Sequence, residues 1–168
     1  MNELTLLTTL KTKLIAQVWT GGGSVVFPTG CVYITANVDL AMESALKTMR
    51  TPICLIQPLD STSDPDFGED PRLTFLNVNI RIVVMVPGDA VGENAIIGGN
   101  KTGGSTASEG RGLFEVSQEL FNAIGQLNDN ESLQLQNTQS GAANAAIVDD
   151  KTYVAWRDFR FTAKGTLV

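Results

Sequence analysis

Histidine is absent from all 168 residues. It is the side chain whose unperturbed pKa lies nearest neutrality, and it serves most hydrolytic triads and many zinc sites. Ser-His-Asp, Cys-His and His-ligated metal designs are therefore excluded. Cys31 and Cys54 stand 23 positions apart, without Cys-x-x-Cys spacing. They read as two free, buried thiols, which pair only if the fold brings them together. A carboxylate pair could still act as in glycoside hydrolysis, but none of the 18 acidic residues sits in a context that marks a cleft.

Two segments approach known binding patterns and miss them. Gly98-Gly99-Asn100-Lys101-Thr102 resembles a phosphate loop, but that motif needs Gly-Lys-Ser/Thr contiguous, with another glycine five positions earlier. Asn100 separates Gly99 from Lys101. The acidic segment carries Asp60, Asp64, Asp66, Glu69 and Asp70 with no basic residue. Asp64-Pro65-Asp66-Phe67-Gly68 breaks the calcium-loop pattern at the third acid and the following glycine, so a solvated acidic loop is the reading. The expectation is a protein that is not an enzyme, with no catalytic residue, cofactor or metal.

The elements around these residues are legible from periodicity. Residues 3–19 read as an amphipathic helix stopped by Gly21-Gly22-Gly23. Two short strands follow, Val25 to Phe27 and Cys31 to Ile34, around Pro28-Thr29-Gly30. A second helix is expected from Asp39, as N-cap, to Arg50, with Met42, Ala45, Leu46 and Met49 inward. Ile53 to Ile56 is a buried strand, and 60–71 a loop. From Arg72 to Val86 alternation is clear, and fifteen residues at ~3.3 Å each reach about 50 Å. A domain of this size is about 40 Å across, so the strand should bend or project toward a partner.

Residues 87–111 hold seven glycines and one apolar pair, Ile96-Ile97. A segment this long and structureless is either functional or disordered. The expected role is a partner-contacting arm made of Ile96, Ile97, Gly98, Gly99, Lys101 and Arg111. A third helix should run from Leu113 to Leu127, with Glu115 near its N-terminal dipole. The rest reads as strands near Leu133 and Leu135, Ala143 to Val148, and Tyr153 to Ala163. In the last, the apolar phase moves from Val154 and Trp156 to Phe159 and Phe161, which suggests a bend or bulge near Arg157-Asp158. The fold expected is α+β: one domain over 1–168, an antiparallel or mixed sheet with about three helices, and the insertion 87–111.

Composition narrows the partners. A formal net charge of −6 disfavours a grip on nucleic acid or on an anionic membrane. No apolar run approaches the ~20 residues of a membrane helix, and Glu3, Lys11 and Lys13 do not suit a secretory signal. A folded, cytoplasm-like setting is expected. The charged fraction is only 18%, which leaves neutral surface that a partner can cover at little desolvation cost.

Taken in order, these elements resemble the tail-terminator or tail-completion proteins of tailed bacteriophages. The resemblance covers nearly the whole chain and is strongest from Pro52 to Leu127. It runs through "PICLIQP", the long strand "LTFLNVNIRIVVMVPG", the glycine-rich insertion and the helix opening "GRGLFEVSQELFNAI", with "YVAWRDFRFTAKG" closing the chain. It implies a virion subunit, assembled in the host cytoplasm, that forms a hexameric ring at the tail–neck junction. Such a ring caps the tail tube, docks to the head-completion or connector protein, and lets DNA pass without specific binding; acidic walls suit that passage. Another head-closure or tube protein is the alternative within this class. A monomeric binding domain is the alternative outside it.

Overall fold

The computed structural model describes residues 2–48, 50–63, 73–87, 93–98, 111–129, 134–149 and 152–166. Its helices are α1 (Glu3–Ala16), α2 (Val38–Leu46), α3 (Glu93–Ile97) and α4 (Leu113–Asp129). Its strands are β1 (Val32–Ile34), β2 (Ile53–Pro58), β3 (Thr62–Ser63), β4 (Leu73–Pro87), β5 (Gln136–Ser140), β6 (Asn144–Asp149) and β7 (Thr152–Thr166). The fold is α+β, with a seven-stranded mixed sheet in the order β1-β2-β4-β7-β5, β3 beside β4 and β6 beside β7. Among the described residues only β1 and β2, joined by α2, pair in parallel, and the other pairings are antiparallel.

Strand alternation sorts the side chains onto two faces. Leu76, Val78, Ile80, Ile82, Val84 and Val86 of β4, with Phe159 and Phe161 of β7, enter the larger core. Leu6, Leu10 and Leu14 of α1 and Leu113, Val116, Leu120 and Ala123 of α4 cover that face. On the opposite face a smaller cluster of Ile53, Leu55, Val83, Met85 and Val154 lies under Val38 and Ala45 of α2. Cys31 belongs to the smaller cluster and Cys54 to the larger, so the sheet separates the two free thiols. Burial pushes both thiols up from their ordinary pKa, Cys31 against the opposing pull of Arg50. Neither is a ready nucleophile.

Several expectations are corrected. The long strand does not project: β4 pairs with β7 without interruption from Leu73↔Thr166 to Pro87↔Thr152. Two strands of equal length satisfy each other. For the same reason no bulge bends β7 against β4 at Arg157-Asp158. The apolar phase shifts because the cover changes face, with Val154 and Trp156 packing toward α2 while Phe159 and Phe161 pack toward α1 and α4. The irregularities lie on the other side of β7, where the register shifts between Asn137 and Gln139 and between Ile147 and Asp149, and residues 141–143 between the two strands stand opposite 157–158.

The N-cap of α2 is Asn37 rather than Asp39; its amide oxygen accepts from the Asp39 and Leu40 N–H groups at 3.0 and 3.1 Å. Residues 25–27 form no strand beyond an isolated Val18↔Val25 bridge, although Val26 and Phe27 are fully buried. The first helix ends at Ala16, and Gln17 is already extended. The insertion contributes a fourth, five-residue helix, α3. Met49 and Leu133 lie outside the described residues.

Candidate functional site

The expected arm divides. Ile96 packs against its own chain's larger core, beside a fully buried Ala95, whereas Ile97 stays 55% exposed. Gly98, at φ +77°, meets Gly112 so closely that a Cβ on Gly112 would sit 2.0 Å from the Gly98 nitrogen. This close approach pins α3 to the start of α4 and accounts for glycine at both positions. Arg111 lies with its guanidinium 4.0 Å from the centroid of the Trp19 ring. Ile96, Gly98 and Arg111 therefore serve internal packing, and among the described residues of the arm only Ile97 is exposed. Gly99 and Lys101 lie outside the described residues, as do Asp64, Asp66, Glu69 and Asp70 of the acidic segment. Asp60 is exposed, and its carbonyl accepts from Asn77 Nδ2 at 2.8 Å.

Two ionic constellations escape sequence reading because their members come from distant positions. Arg81, on the central strand β4, donates from Nε and Nη2 to Asp158 Oδ1 and Oδ2, both at 2.9 Å, and from Nη1 to Asp39 Oδ1 at 2.5 Å. Asn79 adds a 3.2 Å bond to Asp158. The register Arg81↔Asp158 places the fork opposite the carboxylate. Burial works against the guanidinium's charge, but the two aspartates outweigh it and the net shift is upward. Arg81, Asp158 and Asn79 line an open hollow of about 340 Å³ with Gln57, Gln139 and Arg160. Asp158 has both oxygens committed and Asp39 is tied to the same cation, so the hollow presents an occupied lock rather than an acid–base pair.

The second is Glu119, buried on α4. It accepts from the Thr20 N–H at 2.8 Å, from Gln17 Nε2 at 3.3 Å and from Asn122 Nδ2 at 3.2 Å. Burial opposes its charge, yet these donors prevail and hold it below the usual carboxylate range. It fastens the chain after α1 to α4. Among the described residues no group of three or more His, Cys, Asp or Glu could hold a metal ion.

What is left open is the rim of the sheet. β5 and β6 run one after the other along β7, and their residues 136–140 and 144–148 are all exposed. No strand among the described residues pairs with their outer side. Folded proteins usually blunt such an edge with charge, proline or a cover. This one has none of the first two: Ser132 to Val148 is a run of 17 residues without a charged side chain or a proline. The opposite rim is β1, inside a run of 25 uncharged residues from Leu14 to Val38. These are the two longest uncharged runs in the chain, and the sheet ends in both.

The runs also gather exposed apolar side chains. Ile15, Val18, Val25 and Ile34 lie in one, Ile147 and Val148 in the other, making six of the ten exposed large hydrophobics among the described residues. Beside the β5–β6 junction, Arg157 donates to the Gly141 carbonyl at 2.7 Å and lies 5.5 Å from the exposed Phe114 ring. Beside β1, Tyr33, Ile34, Thr35, Ala41, Ser44, Ala45 and Thr48 enclose a hollow of about 300 Å³ between the strand and α2. Two ends of one sheet, with Asp149 the one charged residue in their edge strands, make the surface best suited to a partner. Spacing of charges along the sequence was the available signal, but only the topology shows that both gaps fall at a sheet edge. No family model matches the chain, and no curated protein matches its sequence.

Proposed function

We propose that the protein is a structural subunit of a tailed-phage virion, a ring-forming tail terminator at the tail–neck junction. The observation that carries the assembly half of this reading is the pair of unprotected sheet edges, which lie in the two longest uncharged runs of the chain but for Asp149 at the end of β6. An isolated soluble domain gains nothing by leaving both rims open, whereas a subunit covers them on assembly. The identity of the assembly rests on the resemblance in element order, and the α+β architecture agrees with what that resemblance implies. In this role the ring, six copies on that reading, caps the tail tube and meets the head-completion or connector protein. DNA passes through it without specific binding, which suits a chain of net charge −6.

Negative-stain or cryogenic imaging of particles, with the protein tagged at its C-terminus, tests this. A ring of tag density at the head–tail junction is the expected result. Particles that lack the protein, or hold a single isolated copy, would contradict it.

A further inference from the structure

This inference rests on the assembly reading above and names the partner of the two edges: a second copy of the same chain. We propose that β6 of one copy docks edge to edge on β1 of the next, with the Ile147–Val148 end seated in the hollow between β1 and α2.

The two edges belong to one sheet and lie at its opposite ends. A contact between unlike patches repeats head to tail and closes into a ring when the rotation allows. A contact of the β5–β6 edge with itself would cover only one of the two uncharged runs, leaving β1 and its exposed Ile34 without explanation. Charge singles out the same approach. With 18 acidic and 12 basic residues, two copies repel in general, and least where both surfaces are neutral.

Chemistry on the two sides also matches. Val148 and Ile147 are 55% and 61% exposed, and aliphatic. The hollow beside β1 is walled by Tyr33, Ile34, Ala41 and Ala45, with hydroxyls of Thr35, Ser44 and Thr48 at its rim and no charged side chain in its lining. Neither these two aliphatic side chains nor the hollow's lining carries a charge, so seating them desolvates no ion of their own; Asp149, the last residue of β6, follows directly after Val148. The free backbone groups of the two rims then supply the hydrogen bonds that fix register, while the aliphatic end fixes which surface is chosen.

Cysteine scanning on the full chain tests the pairing. Val148→Cys is mixed under mild oxidation with Ala41→Cys, with Ser44→Cys, or with Thr12→Cys. Thr12 lines a separate hollow between α1 and α4. Wild-type protein, whose two thiols are buried, serves as the background. The expected result is a disulfide-linked heterodimer with Ala41→Cys or Ser44→Cys, lost with Thr12→Cys and absent from wild type. Homodimers of Val148→Cys alone would overturn the proposal in favour of a symmetric edge pair. Protein that stays monomeric and unlinked over the whole concentration range would overturn the edge contact as well, while the imaging of particles decides the assembly reading separately.

Discussion

The centre of the sheet and its rims follow opposite rules. Between β4 and β7 fifteen residue pairs are in register, both faces carry apolar side chains, and the buried Arg81 is held by two aspartates. At β1 and along β5–β6 the backbone is unpaired on one side, charge is reduced to Asp149 at the end of β6, and the aliphatic side chains of Ile34, Ile147 and Val148 are exposed. The centre is therefore where folding free energy is concentrated, and the rims are where a partner can be recognised. A substitution should reveal its region by what it damages: stability in the first case, association in the second.

The largest effect is expected in the centre. Phe159 is fully buried and meets Phe121 edge-on, with ring centroids 5.3 Å apart. Phe159→Ala should cost about 3–5 kcal/mol in denaturant unfolding, from lost transfer energy and the cavity left behind. A cost below about 1 kcal/mol, the ordinary scale of a surface change, would show that this layer is not the core.

The Arg81 lock sharpens the comparison, because its two anions differ in exposure. The Asp158 side chain is 33% exposed and the Asp39 side chain 80%. Asp158→Ala removes two charge-assisted bonds from a buried guanidinium and should destabilise by about 1.5–3 kcal/mol. Asp39→Ala should change stability by less than about 1 kcal/mol, as exposed ion pairs do. Equal losses would mean that burial does not set the strength of this lock.

Glu119 gives the pH dependence. Its folded pKa lies below the ordinary 4.5, so its contribution is fully present above that value and declines as pH falls through the folded pKa. Stability of the wild type should thus drop on acidification below about pH 4.5, and Glu119→Gln should flatten that part of the curve. At neutral pH the same variant should lose about 1–3 kcal/mol, through donors left without their acceptor. An unchanged acid limb in the variant would remove Glu119 from the account.

At the rim the smallest change in stability should accompany a complete change in behaviour. Val148→Asp is expected to alter unfolding by no more than about 0.5 kcal/mol, the scale of surface substitutions. Light scattering should nevertheless show the loss of any oligomer formed by the wild type. A variant that unfolds, or that associates normally, would erase the distinction between centre and rim.

Much of the centre was legible because its signals are local. The alternation from Leu76 to Val86 and the 3.6-residue stripe from Leu113 to Leu127 each identify an element and its buried face. Arg81 and Asp158 were not legible as a pair. They are 77 positions apart and meet only because β4 and β7 adopt one register. The phase shift in β7 was visible, but it needs no bulge against β4, since a strand covered on both faces can change its apolar phase in unbroken register. Five residues are too few for helical periodicity to announce α3, and the packing of Ile96 could not be anticipated without the Gly98–Gly112 contact. The rims left their mark as long stretches without charge, Leu14 to Val38 and Ser132 to Val148, which acquire meaning only once β1 and β5–β6 are known to be edges.

Amide hydrogen exchange, measured on the free protein and again in assembled particles, tests the division of labour most directly. The amides of Ile80 to Val83, where β4 is flanked by paired strands on both sides, should exchange slowly in both states. Those of Asn144 to Val148 and of Val32 to Ile34 that face away from the sheet should exchange quickly in the free protein and become protected on assembly. Rims that exchange equally fast in both states, or are already protected in the monomer, would contradict an edge-built assembly.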